Sequence, residues 1–137
     1  PYKFEAGTPN IADVVALKEA INFINELGKE NIAAQESELL HYTKEKLTSL
    51  PGIRLIGTSA HKVSVQSFVV EGIHHFDIGQ MLDTRGIAVR TGHHCTQPLM
   101  EHFGIEGTVR ASFAVYNTRA EIDKLIEGLE RICKFMK

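Results

Sequence analysis

The chain reads as a small α+β domain, a short and mostly antiparallel sheet with helices packed against it. Three observations predict this. Apolar residues recur at helical spacing before Pro51 and again after Thr118. Between Ile53 and Phe113 the pattern shifts to short runs rich in Val and Ile, some alternating apolar with polar. The runs do not alternate with helices in strict βαβ order, and no internal repeat or low-complexity tract divides the 137 residues.

Residues 1–10, with Gly7-Thr8-Pro9-Asn10, form an irregular entry segment with turn chemistry. Asn10 is placed to cap a helix whose apolar face is Ile11, Val14, Val15, Leu17, Ile21, Ile24 and Leu27, with Gly28 as its stop. A second helix is predicted from Asn31 to Leu50, with Ile32, Leu39, Leu40, Tyr42 and Leu47 inward, ending at Pro51-Gly52. Ile53 to Ile56 and Val63 to Val70 read as strands, closed by Gly57 and Gly72. His75 to Thr84 reads as a helix with Phe76, Ile78, Met81 and Leu82 inward. Ile87 to Arg90 and Val109 to Phe113 are the remaining strands. The last helix runs from Arg119 to Phe135, with Ile122, Leu125, Ile126, Leu129 and Ile132 on one face and Asn117 or Thr118 as its cap.

The composition narrows the function. Hydrophobic residues make up 43% and charged residues 23%, as in a globular protein. A net charge of −2 gives no electrostatic case for nucleic acid or an anionic membrane. No apolar run approaches the ~20 residues of a membrane span, and no secretory signal is visible. Two cysteines, Cys95 and Cys133, make no disulfide framework, which suits a reducing, cytoplasmic setting.

The chemistry concentrates in Arg90-Thr91-Gly92-His93-His94-Cys95-Thr96-Gln97-Pro98-Leu99-Met100. Glycine frees the backbone before the cysteine, and proline prevents a regular strand or helix interior. The thiol is thus expected on a loop or a strand-to-helix junction, where arginine and imidazole favour thiolate. A small buried structural residue is one reading of Cys95, a reactive nucleophile the second and a metal ligand the third. The loop context favours the nucleophile, and the histidines at 41, 61, 74, 75 and 102 follow no zinc spacing, so no metal is assigned. Cys133 reads as structural.

Arg110, inside an apolar strand, needs an anionic partner: a protein carboxylate, or the carboxylate of a substrate. Arg90 carries the same two readings. Gly7-Thr8-Pro9 is either a turn or, through Thr8, a phosphate contact. Ser59-Ala60-His61-Lys62 looks like the lysine motif of some pyridoxal phosphate enzymes but runs straight into a strand, so Lys62 is read as a solvated strand start rather than a cofactor lysine.

Arg90-Thr91-Gly92-His93-His94-Cys95, followed by Pro98-Leu99-Met100 and by Arg110-Ala111-Ser112 through Tyr116-Asn117-Thr118, strongly resembles the group II (Suf-type) cysteine desulfurases. Phe4-Glu5-Ala6-Gly7-Thr8-Pro9-Asn10 is similar to an upstream signature of that family. The resemblance implies the small C-terminal domain of a pyridoxal-phosphate-dependent fold type I transferase of aminotransferase class V. On that reading residues 1–10 are an entry segment left from the large-domain boundary, and 11–137 are a single small domain carrying the cysteine loop. The large domain with its Schiff-base lysine is not in the chain, so the isolated chain is expected to be inactive. Thr96 departs from the alanine of many relatives.

The implied reaction removes sulfur from L-cysteine, giving L-alanine and a persulfide on Cys95 for iron–sulfur cluster assembly. Cys95 resembles the nucleophile, Arg110 the clamp on the substrate carboxylate with Arg90 beside it, and Thr8 the contact to the cofactor phosphate across a homodimer interface. The implied partners are L-cysteine and a sulfur-acceptor protein of the Suf system. Two alternatives stand: a selenocysteine lyase acting on selenocysteine, and a cofactor-free sulfur-carrier or binding module using Cys95.

Overall fold

The computed structural model describes residues 2–136; Pro1 and Lys137, the outer ends of the expected entry segment and domain, lie outside the described residues. After a short 3-10 turn at Tyr2–Phe4 come helices α1 (Ile11–Leu27) and α2 (Lys29–Ser49), and strands β1 (Ile53–Ile56) and β2 (Val65–Val70). Helix α3 (His75–Asp83), strand β3 (Arg90–Gly92), helix α4 (Gln97–Phe103), strand β4 (Thr108–Ser112) and helix α5 (Arg119–Met136) complete the chain. The strands form one sheet in the order β1-β2-β4-β3, every neighbouring pair antiparallel. The α+β expectation holds.

Register divides the sheet into two faces. Phe68 and Val70 of β2, with Val109 and Ala111 of β4, point to the buried side. There they meet Leu39 and Leu47 of α2, Ile78 and Leu82 of α3, and Ile122, Leu125, Leu129 and Ile132 of α5. The five apolar positions predicted on α5 are all buried. The other face carries the row Ser67, Arg110, Arg90, which the register sets side by side. This second face carries the candidate chemistry.

Local chemistry sets the helix ends. Asn10 accepts from the Asp13 N–H and caps α1. Gly28, at φ 80°, takes the left-handed turn that separates α1 from α2. Thr118 and Glu121 form a capping box on α5: the Glu121 carboxylate accepts from the Thr118 N–H at 2.7 Å, and the Thr118 hydroxyl accepts from the Glu121 N–H at 3.4 Å.

The Thr118 amide, followed by the Asn117 and Thr118 side chains, holds the Glu121 carboxyl below its ordinary value. Protonation therefore favours the unfolded chain. The stabilisation is complete above the ordinary carboxylate value of about 4.3 and is lost as pH falls through the lower folded value. Melting curves across the acid range should show Glu121→Gln less stable than the parent near neutrality, with the difference closing at low pH. Parallel profiles for the two proteins would refute the box as the source of the effect.

Several sequence expectations need correction. Phe76 is 53% exposed, not inward. The inward line of α3 is His75, Ile78, Gly79 and Leu82, at i, i+3, i+4 and i+7; Met81 is half-buried against the core as expected, and the non-apolar His75 takes the place expected of Phe76. The strand expected over Ile87–Arg90 begins only at Arg90. Ile87 and Val89 turn into the core instead, leaving a cleft of about 320 Å³ between residues 86–89 and Ala111–Phe113. Strand β2 starts at Val65 rather than Val63, which is exposed. Helix α4 was not foreseen. The apolar face of α1 is exposed from Ile11 to Ile24, because α1 packs against α2 and not against the sheet.

Candidate active site

The cysteine sits where β3 turns into α4. Gly92 ends β3, His93 to Thr96 make a tight turn, and Gln97-Pro98 open α4, with proline at the first turn where no N–H is needed. The Thr96 N–H donates to the His93 carbonyl at 2.9 Å, the i to i+3 bond of a β-turn. Both central residues have positive φ, 55° at His94 and 61° at Cys95. Such primed turns favour glycine or asparagine. With a β-carbon at each position, the left-handed conformation costs on the order of 1–3 kcal/mol apiece and persists only where surrounding contacts enforce it.

Those contacts are present. The Cys95 N–H donates to the His93 ring Nδ1 at 3.1 Å, and the Thr96 hydroxyl donates to the His93 carbonyl at 2.8 Å. His94 Nε2 lies 2.9 Å from Thr108 Oγ1. The turn therefore presents Cys95 exposed, as expected of a strand-to-helix junction, rather than as a buried structural residue.

Strand β4 carries the second half of the site. Arg110 and Arg90 are direct cross-strand partners, on the face away from the helical core. Like charges placed opposite each other oppose pairing unless an anion bridges them. Among the described residues the ion pairs are His74–Glu106 and Arg119–Glu38, and neither neutralises this pair. Arg110 is half-buried, and its buried Nε has no hydrogen-bond partner. A buried donor without a partner costs free energy, so the arrangement suits an incoming carboxylate. The protein-carboxylate reading of Arg110 is not realised among the described residues.

Charge on this face also acts on His94. Burial, then Arg110 and Arg90, lowers its pKa, with an opposing contribution from the hydrogen bond to Thr108. His94 is thus held toward its neutral form. His75 is lowered as well, by burial and by His74, whose ring centroid lies 4.1 Å away.

The N-terminus of α3 packs against the end of β3 and the residues that lead into β4. His74 pairs with Glu106 at 3.3 Å, and His75 packs so tightly on Gly107 that a β-carbon there would lie 2.5 Å from its Nε2 and 2.8 Å from the Gly92 carbonyl carbon. Further along, a β-carbon at Gly79 would lie 2.6 Å from Thr91 Cγ2. Glycine at 79 and 107 lets α3 approach the strand that carries the cysteine.

Of the predicted site residues, the fold brings Arg90, Arg110 and the Cys95 turn to one end of one sheet face. Thr8 stays apart, exposed on the segment leading to α1. Lys62 is less solvated than expected: its Nζ donates to the Gly57 carbonyl and to Gln66 Oε1, each at 2.9 Å, and burial followed by Lys44 lowers its pKa. It precedes β2 beside Ser112, the end of β4 away from Thr108. Cys133 lies half-buried on α5, against the core. Among the described residues no group of His, Cys, Asp and Glu is arranged to hold a metal ion, and no helix is long and apolar enough to cross a membrane. Sequence reading missed Thr108 and His75. The only signal for Thr108 was its two-residue spacing from Arg110 in an alternating strand.

Comparison with known proteins bears on the family and the fold. The family described as aminotransferase class-V matches residues 1–125. A probable cysteine desulfurase of Mycolicibacterium paratuberculosis is 52% identical over 134 residues, covering 98% of this chain and 20% of that protein. The apo structure of a cysteine desulfurase from Thermococcus onnurineus superposes with a TM-score of 0.91 at 40% identity, over 98% of this chain and 34% of that one. The cysteine desulfurase CsdA of Escherichia coli, solved in an S-sulfonic acid form, gives 0.89 at 35% identity, over 98% and 33%. The chain thus spans between a fifth and about a third of the length of these relatives. A family model that matches residues 1–125, together with homologues that cover 98% of its length, places the chain in the class-V aminotransferase family.

Proposed function

We propose that this chain is the cysteine-bearing small C-terminal domain of a Suf-type, pyridoxal-phosphate-dependent cysteine desulfurase, spanning residues 11–137 after an entry segment. The observation that carries the proposal is the exposed, strained Cys95 turn beside an arginine pair that lacks a protein anion. Arg110 takes the substrate carboxylate, with Arg90 beside it, and fixes the orientation of L-cysteine before reaction. The Cys95 thiolate attacks the substrate sulfur. An S–S bond forms as the substrate C–S bond breaks, and the electron pair left on carbon takes a proton to give L-alanine. Cys95 is left as a persulfide.

Pyridoxal phosphate, when bound, supplies the electron sink that makes the substrate carbon a competent leaving group. The residues here fit part of that cofactor's needs. Thr8 is exposed and suited to meet its phosphate, whereas Lys62 is held by Gly57 and Gln66 and does not fit as the linking amine. The chain by itself is therefore expected to be inactive. Exposure of Cys95 also suits the second step, transfer of sulfur to an acceptor protein of the Suf system for iron–sulfur cluster assembly. The complete enzyme is read as a cytoplasmic homodimer.

The test is to treat the enzyme carrying this chain with L-cysteine and map the product by peptide mass. One added sulfur on the Cys95 peptide, with matching L-alanine release, supports the proposal. Alanine without that added sulfur, or sulfide release by the isolated chain supplied with pyridoxal phosphate, would overturn it.

A further inference from the structure

The geometry points to Thr108 as a positioning residue: with His94 it pins the Cys95 turn to the strand that carries Arg110, so the distance from thiol to clamp is fixed before substrate arrives. This inference rests on the desulfurase reading for its consequence, though not for its geometry. Thr108 opposes Gly92 in the register and Arg110 opposes Arg90, so β4 holds both the anchor of the turn and the arginine clamp, two residues apart on the same face. Thr108 is 1% exposed, whereas the neighbouring residues of that face, Arg110 and Ser67, are only half-buried. Its hydroxyl at 2.9 Å from His94 Nε2 is the one side-chain hydrogen bond, among the described residues, that ties His93, His94, Cys95 or Thr96 to another strand.

The turn needs such an anchor. The Thr96 and His93 hydrogen bonds are internal to the turn and would travel with it if it swung as a unit. Two consecutive non-glycine residues at positive φ relax readily unless something outside the turn holds them. Burial and the flanking arginines lower the His94 pKa, so the ring meets Thr108 Oγ1 in its neutral form, as donor or as acceptor according to its tautomer. Misplacing a reacting group by about 1 Å costs up to about 100-fold in rate, so loss of the anchor should appear in kcat more than in KM.

The test compares Thr108→Val, Thr108→Ser and His94→Asn, the last tolerating positive φ but too short to reach Thr108. Two readouts are taken. In this chain, hydrogen exchange at the Cys95 amide is expected to speed up about tenfold or more in Thr108→Val and His94→Asn, and to stay near the parent rate in Thr108→Ser. In the complete enzyme, kcat for L-cysteine is expected to fall about 10- to 100-fold in the first two, with KM within about twofold, and Thr108→Ser to restore it. The double variant should lose no more than the worse single one, because both remove the same contact.

Should Thr108→Val fail to fold, His94→Asn on the surface turn gives the same readouts. Unchanged amide exchange, unchanged kcat, or additive losses in the double variant would each overturn the pinning role. If the parent enzyme itself leaves no sulfur on Cys95, the desulfurase reading fails while the exchange result still decides whether the pin exists.

Discussion

In the enzyme carrying this chain, Cys95→Ala is expected to lower sulfur release from L-cysteine by about 1,000-fold or more, with the fold unchanged. Removing a nucleophile that forms the covalent intermediate abolishes the route itself, and what remains is the contribution of binding and orientation. The side chain is exposed and touches no part of the core, so its loss leaves no cavity. Alanine keeps the β-carbon at φ 61°, so the turn is neither relieved nor further strained. Cys133→Ala is the control: half-buried on α5, it should cost modest stability and leave the rate within about twofold. Retention of sulfur release by Cys95→Ala, measured as sulfide and alanine, would remove Cys95 from the chemistry. A protein that loses sulfur release but keeps selenium release from selenocysteine would favour the lyase alternative.

Gly107→Ala is expected to destabilise the domain by about 1–3 kcal/mol, the usual cost of inserting a methyl group into a packed site. For a domain of this size that is a fall in Tm of roughly 3–10 °C. The added carbon would meet the His75 ring at 2.5 Å and the Gly92 carbonyl carbon at 2.8 Å. The first contact is with a side chain that can move; the second is with backbone that cannot do so without shifting the end of β3. A second substitution, His75→Ala, should therefore recover only part of the loss. Thermal melts of the three proteins decide it: a Gly107→Ala variant with the parent Tm would mean that the approach of α3 to the strands is slack. Full recovery in the double variant would mean that the ring alone is crowded and the Cys95 turn is undisturbed.

Much of the architecture was legible because it follows local rules. Helix α5 was written by apolar residues at Ile122, Leu125, Ile126, Leu129 and Ile132 and by the Thr118–Glu121 box, and both act within a few residues of chain. The reading failed where a polar residue or glycine took an inward place. In α3, His75 and Gly79 face the strands because the close approach to Gly107 and Thr91 demands small or shaped partners, and hydrophobicity carries no trace of that demand. At Ile87–Val89 the β-branched run looked like a strand, yet its side chains serve the core and its backbone leaves the ladder. Helix α4 carried a signal, proline at its first turn, that also reads as a strand breaker.

The sequence by itself determined most of the elements, though not α4 or the extent of β3, the α+β class, the cysteine on a loop or strand-to-helix junction, and the family resemblance through Arg90 to Cys95. All of these rest on residue order over short stretches. Only the tertiary structure decided that Arg90 and Arg110 stand opposite each other without a protein anion, and that a buried Thr108 holds His94 and with it the cysteine turn. It also decided that the apolar face of α1 stays uncovered. The first two depend on strand register, which brings together residues distant in the chain and is set by the packing of the whole sheet against its helices; the third follows from α1 packing against α2 rather than the sheet.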